Sequence, residues 1–283
     1  MRRTIAAVLL SVLVVLAGCS GVFGGGDESA ETVTPVAVPT DEPTPTPVPQ
    51  LAPGVTERGI ESPRALIDAH RSFLQNRSFT QRSNSTALAA NGSVILQATS
   101  TARAGPQGKR LHSVIERNGS FTSREPTTIS TRSEAWWGGE QYLVKRTFPN
   151  GTTTYSRPPI DTTRVDIATG TLPYLLGSFD TNNTTVTDHQ SRNGTTLYRI
   201  NGTSDVPRQP NTTLELLVDS RGVIHEYTTI RRLSADSGVS KSVTRTRLVA
   251  IGETDAPERP SWIETAKNRT TATRQPETTR SGK

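Results

Sequence analysis

Cys19 carries the only thiol of this 283-residue chain. With a single cysteine no intramolecular disulfide can form, and neither a paired-cysteine metal site nor a redox dithiol is available. The four histidines, His70, His112, His189 and His225, are far apart in sequence. His112 and Glu116 would share a strand face about 13 Å apart, too far to hold one metal, and His225 and Glu226 would face opposite sides. The chain has no His-Glu-X-X-His, no EF-hand spacing, no Gly-X-Ser-X-Gly elbow and no phosphate-cradling glycine loop ahead of a helix. The expectation is a protein that is not an enzyme, with no catalytic residues, no metal and no cofactor.

Asparagine is the second chemically telling residue. Asn76, Asn84, Asn91, Asn118, Asn150, Asn182, Asn183, Asn193, Asn201, Asn211 and Asn268 are all the asparagines present, and each begins Asn-X-Ser or Asn-X-Thr. That is the N-glycosylation acceptor pattern. Serine and threonine make up roughly a quarter of the chain, so chance would place only about a quarter of the asparagines there. Five are also Asn-Gly, the dipeptide of two-residue hairpin turns, at 91, 118, 150, 193 and 201. Turn geometry accounts for the glycine but not for the Ser or Thr that follows. The expected picture is of solvent-exposed hairpin tips, several of them glycosylated.

The stretch that positions Cys19 is an apolar run, 5–17, behind Arg2 and Arg3. A basic start, a short apolar segment and small residues before a cut are the parts of a secretory signal peptide. The run is too short to span a bilayer, which needs about 20 apolar residues. Leu16-Ala17-Gly18-Cys19 resembles the lipobox of prokaryotic lipoproteins. The resemblance implies cleavage before Cys19, a diacylglyceryl thioether on its sulfur, and anchoring to the outer face of the cytoplasmic membrane. Arg2-Arg3 leaves the choice between general and twin-arginine export open.

The formal charge of +6 less Arg2 and Arg3 leaves +4 on the mature chain. The positive charge is mostly arginine and scattered, a solvated surface and not a nucleic-acid footprint. Threonine-rich, lysine-poor and dense in acceptor sites, the chain resembles lipobox lipoproteins of haloarchaea whose function is not established. Its net positive charge departs from their usual acidity.

Residues 19–57 run through Gly24-Gly25-Gly26 and alternating Thr-Pro, a composition that favours polyproline II over a packed core. They are expected to form a tether. The expected domain is 58–255, followed by a polar, mostly disordered tail over 256–283. Ser62 reads as an N-cap and Pro63 as the first helical residue, with Leu66, Ala69, Phe73 and Leu74 at helical spacing. Strands follow over about 94–103 and 110–116, joined by a turn at 105–108. Hairpins are expected at 141–156 and 185–200. A strand ending at Asp219 turns through Ser220-Arg221-Gly222 into 223–233, and a last strand covers 239–251. In that last strand Lys241, Arg245 and Arg247 share a face with Val243, so it should be partly wet or at an edge. Residues 160–179 break the strand pattern and read as two short helices, parted near Gly170. Adjacent Trp136 and Trp137 should face opposite sides of a strand, one of them packed under a helix. Trp262 and Ile263 should form a final helical turn.

The fold class is therefore mainly β with α. An opening helix, antiparallel hairpins, a helical insert and further hairpins resemble the lipoprotein-carrier half-barrel superfamily, which includes LolA-like and LppX-like proteins. The most similar stretch is Leu214-Glu215-Leu216-Leu217-Val218-Asp219-Ser220-Arg221-Gly222-Val223-Ile224. That resemblance implies a strongly curved antiparallel sheet whose concave face is covered by the N-terminal helix and the insert. It also implies a lipid or other amphiphile held between them, with Leu66, Phe73, Leu172, Leu175, Leu176 and Phe179 as the lining. Ordinary core packing is the competing reading of the same six residues. The first functional expectation is an amphiphile-binding, membrane-anchored lipoprotein. The alternative is a non-catalytic surface glycoprotein contacting an envelope protein or polysaccharide. A continuous apolar channel beneath the insert favours the first, and a filled interior favours the second.

Overall fold

The computed structural model describes residues 48–106, 109–119, 129–138, 141–159, 170–192, 194–207, 209–233 and 238–272. The expected signal peptide, Cys19, most of the expected tether, Asn193 and the segment after 272 lie outside the described residues. So do the first helix expected near 160–169 and half of the turn at 105–108. The described residues belong to one compact unit.

A small antiparallel sheet opens it: β1 (Gln50–Ala52), β2 (Val55–Thr56) and β3 (Gly59–Ile60). Ala52, Val55 and Ile60 are buried, so the folded unit begins earlier than the expected boundary at 58. Helix α1 (Pro63–Leu74) follows. Ser62 Oγ accepts from Ala65 N at 3.2 Å, and Pro63 begins the first turn, where its missing N–H costs nothing. The helix buries Leu66, Ile67, His70 and Leu74 on one face.

Eleven strands form the main sheet, which is open. In chain order β4 (Phe79–Leu88), β5 (Val94–Ala104), β6 (Leu111–Gly119), β7 (Arg132–Trp137), β8 (Tyr142–Thr147) and β9 (Thr153–Ser156) run outward to one edge. Helix α2 (Leu172–Leu176) intervenes. Then β10 (Thr184–Arg192), β11 (Thr195–Val206), β12 (Gln209–Asp219), β13 (Ile224–Arg232) and β14 (Lys241–Val249) return from the other edge. The order is β10-β11-β12-β13-β14-β4-β5-β6-β7-β8-β9, antiparallel throughout, with β10 and β9 at the edges. Pairing of β14 with β4 joins the two meanders, a contact between residues more than 150 apart in sequence.

β12 shows why the inner face forms. Leu214, Leu216 and Val218 are fully buried while Glu215 between them is exposed, the period of two that a half-covered strand imposes. Its neighbours bring Ile200 and Tyr227 into the same layer. Against this layer pack α1, α2 and the β1–β3 sheet. A second cluster, Leu74, Phe79, Ala104 and Leu111, continues the layer toward β7.

The outer face is covered at one end by α3 (Ile263–Ala272). Trp262, Ile263 and Ala266 pack there on Trp136 and Leu143. The final helical turn expected at Trp262 is thus a helix of 10 residues, reaching past Asn268, where disorder was expected. Trp136 is buried under it, and Trp137 packs on the opposite face beside the Leu74 cluster. β14 lies between β13 and β4, so its wet face reflects an exposed sheet surface and not an edge. No described helix is long and apolar enough to cross a membrane.

Candidate functional site

The space between the helices and the inner face is the site implied by the half-barrel resemblance. Leu66, Leu172, Leu175, Leu176 and Phe179 all come together there, at 0 to 7 % exposure, in one cluster with Ile200, Leu214 and Leu216. They touch sheet residues and one another, and Leu172 also borders a cavity. Phe73, the sixth expected lining residue, lies outside this cluster. It is half-buried against Leu74 and Phe79, with the guanidinium of Arg77 4.1 Å and that of Arg221 4.6 Å from its ring centre. Two cations on one ring make that position a charged rim and not an acyl-chain wall.

A narrow cavity remains among His70, Gln81, Leu172, His225, Tyr227 and Thr246. It is constricted enough to admit about one or two water molecules. Gln81 Oε1 is buried there without a hydrogen-bond partner, as is typical of a polar site that holds water.

α2 closes the cavity on one side. It is five residues long, and Thr171 at its N-cap makes no side-chain cap bond, so propensity contributes little to it. Gln209 holds it from β12: its fully buried Nε2 donates to Tyr174 O at 2.7 Å and Leu175 O at 3.1 Å. Gly202 on β11 makes room for the segment that follows, because a Cβ there would lie 2.8 Å from the Phe179 ring.

Above the cavity is a polar cluster that sequence spacing does not reveal. Asp219, at 0 % exposure, accepts from Val223 N at 3.0 Å and Arg221 N at 2.9 Å. Its Oδ2 meets Arg221 Nη2 at 2.6 Å and His225 Nε2 at 3.0 Å. Burial pushes this carboxyl up, but the bonds from His225, Arg221 and Val223 outweigh it and hold it well below the usual carboxylate range. His70 Nδ1 accepts from Ile224 N at 3.1 Å. Burial, reinforced by His225 and Arg71 and opposed by Asp219, lowers its pKa from 6.5 to about 4. The cluster is a network of satisfied bonds tying α1 to the β12–β13 hairpin. Its only sequence signal is Asp219 opening a Gly turn. His225 reaches Asp219 because the register slips by one residue between Leu217 and Val218, which alternation alone does not predict.

His112 likewise meets a carboxylate other than Glu116. Its Nε2 is 3.7 Å from Glu134 on the adjacent strand, and Glu134 also accepts from Arg132 Nε, Lys145 Nζ and Trp262 Nε1. Burial raises the Glu134 pKa, and those donors outweigh it to a net lowering. This carboxylate pins Trp262, and with it α3, to the sheet. No group of three or more metal-ligating side chains occurs among the described residues.

The acceptor asparagines are spread over the surface. Asn76, Asn84, Asn91, Asn118, Asn150, Asn182, Asn201, Asn211 and Asn268 are exposed. Asn91 and Asn150 sit in hairpin turns as expected, Oδ1 accepting from the backbone two residues on and Nδ2 left to solvent. Asn118 and Asn201 do not: both lie within strands, and the glycine after Asn201 is there for Phe179. Asn183 differs from the rest, since its Nδ2 donates to Ser178 O at 2.9 Å and its Oδ1 accepts from Asp180 N at 2.8 Å.

No family model and no curated protein matches the sequence. Among solved structures, the chain is similar to a LolA superfamily protein from Nitrosomonas europaea. The identity is 12 % and the TM-score 0.28, over 69 % of this chain and 95 % of that one. A DUF1329 family protein from Desulfovibrio piger is similar at 10 % identity and TM-score 0.28, over 73 % and 99 %. An outer membrane lipoprotein-sorting protein domain from Vibrio parahaemolyticus is similar at 8 % identity and TM-score 0.23, over 71 % and 95 %.

Proposed function

We propose that this is an exported lipoprotein, anchored through Cys19, whose half-barrel is a non-catalytic surface glycoprotein that contacts other envelope components through its exterior. The observation that supports this most is the filled interior. Five of the six residues expected to line an amphiphile gap are closed core, and the cavity beside them is sized for water. The wide distribution of exposed acceptor asparagines fits a domain that works at a cell surface.

Amphiphile binding is the second reading, and one observation favours it. α2 is short, lies next to the cavity, and is joined to the sheet by its leucine packing and by two hydrogen bonds from Gln209. Its departure would open the apolar layer of β11–β13. Native mass spectrometry of the protein purified from its source separates the two. A mass carrying only covalent glycans and the Cys19 lipid supports the surface reading; a further lipid mass that disappears on denaturation replaces it with the carrier. Anchoring is tested by Cys19→Ser, which should release the protein from membranes. Retention of that variant would refute the lipid attachment.

A further inference from the structure

The outer face of the sheet carries a group of arginines that no described helix covers, flanked at the β4–β5 end by the segment that brings Thr254 onto Thr80. On β14, β4 and β5, Arg245, Arg247, Arg82 and Arg103 are all exposed and on one side. Arg247 and Arg82 are directly opposite in register, an arrangement of like charges that costs stability. Glu226 pairs with both Arg245 and Arg247, and Glu134 lies 3.7 Å from His112 further along the row. From Arg103 the in-register row continues through His112 to Trp136 and Leu143. There it enters a recess of about 700 Å³ beneath α3, where Arg110, Arg259 and Lys267 surround Trp136 and Gln141. Glu264 pairs with Arg259 and Lys267, so the recess keeps an excess of positive charge. Its floor holds further polar groups. Gln141 Oε1 is buried without a partner, and Gly138 leaves open the space beside Trp136 Nε1, which a Cβ would enter at 2.9 Å.

We propose that this track and the recess at its end bind an acidic polysaccharide, a chain of carboxylated or sulfated sugars, an inference that rests on the surface reading above and names its partner. The chemistry is that of donors facing an extended anion. Arginines spaced across successive strands, about 4.8 Å apart, meet repeating anionic groups. The recess, too large for an inorganic anion and too polar for an acyl chain, takes one sugar unit on the indole N–H and the glutamine amide. A bilayer could reach the exposed arginines but not the recess.

Asn84 makes the inference exacting. It is exposed and directly opposite Arg245, so a glycan there would cover the track, and the asparagine must be unmodified in the native protein.

The test is binding of the full chain with Cys19→Ser, free of lipid and detergent, to polygalacturonate and dextran sulfate, with neutral dextran and vesicles of equal parts phosphatidylglycerol and phosphatidylcholine as comparisons. Arg82→Glu probes the track and Arg110→Glu the recess; thermal unfolding verifies that each variant is folded. The expected result is binding to an acidic polymer over dextran, weakened about tenfold by each reversal. Raising the salt should erode the effect of both reversals, since Arg82 and Arg110 are both exposed. Four results overturn the inference: no preference over dextran, affinity unchanged by both reversals, stronger binding to the anionic vesicles, or full glycan occupancy at Asn84. A lipid found by native mass spectrometry would instead count against the surface reading, so the two failures are distinguishable.

Discussion

Lowering the pH from 7 to 5 should weaken this fold through His70. The ring is buried, its Nδ1 must stay unprotonated to accept from Ile224 N, and its pKa falls from 6.5 to about 4 on folding. The groups facing it are Arg71 and His225, which disfavour its charge, and Asp219, which favours it. Because the folded state binds the proton less tightly, the unfolded state takes up more protons below pH 6.5. Stability is therefore full above that pH, declines as the pH drops, and levels off below about 4. Over the full shift the loss is about 3 kcal/mol, of which about 2 kcal/mol has gone by pH 5. Asp219 and Glu134 do not interfere, since their stabilisation is lost only as the pH approaches the ordinary carboxyl values of 3.8 and 4.5. His112 is also lowered, by burial against the opposing Glu134, and adds a loss of the same sign. The comparison that isolates His70 is His70→Gln, which keeps an acceptor for Ile224 N. Urea unfolding followed by tryptophan fluorescence at both pH values should show the wild type losing about 2 kcal/mol more than the variant. Equal losses would refute the reasoning.

Three further outcomes follow from single contacts. Ser62→Ala removes the N-cap of α1 and should cost about 1 kcal/mol in urea unfolding, with Ser62→Gly costing less. Gln209→Leu removes both bonds to α2 and should speed amide exchange over 172–179 well beyond any change in β12, at a global cost of about 1–3 kcal/mol. Peptide mapping of the native protein should find Asn183 unmodified, because both ends of its carboxamide are engaged; Asn183→Gln should leave the glycan mass unchanged while lowering stability.

Local signals made much of the fold legible. The α1 cap, the hairpins at 141–156 and around 194, the Asp219 turn and the opposite faces of Trp136 and Trp137 each depend on residues a few positions apart. β4 gave no such signal, for its Gln81-Arg82-Ser83-Asn84-Ser85-Thr86 lacks apolar alternation. It is a strand because β14 and β5 flank it and satisfy its backbone. β1–β3 were hidden by a composition suited to a tether, yet three small apolar side chains there seal the core. Of the six candidate lining residues, five meet in one cluster and Phe73 lies in another. Whether they line a gap or fill it depends on how closely α1 and α2 approach the sheet.

Composition and short-range spacing by themselves determined a mainly antiparallel β domain with one capped amphipathic helix, a surface rich in acceptor asparagines and no cysteine pairing, because periodicity, capping and turn chemistry act within a few residues. Tertiary structure alone decided the rest. The β14–β4 junction, the Asp219–His225–His70 network, the closed interior and the arginine row on the outer face all bring together side chains from separate strands or elements. Strand order and register set those meetings, and no local pattern encodes them.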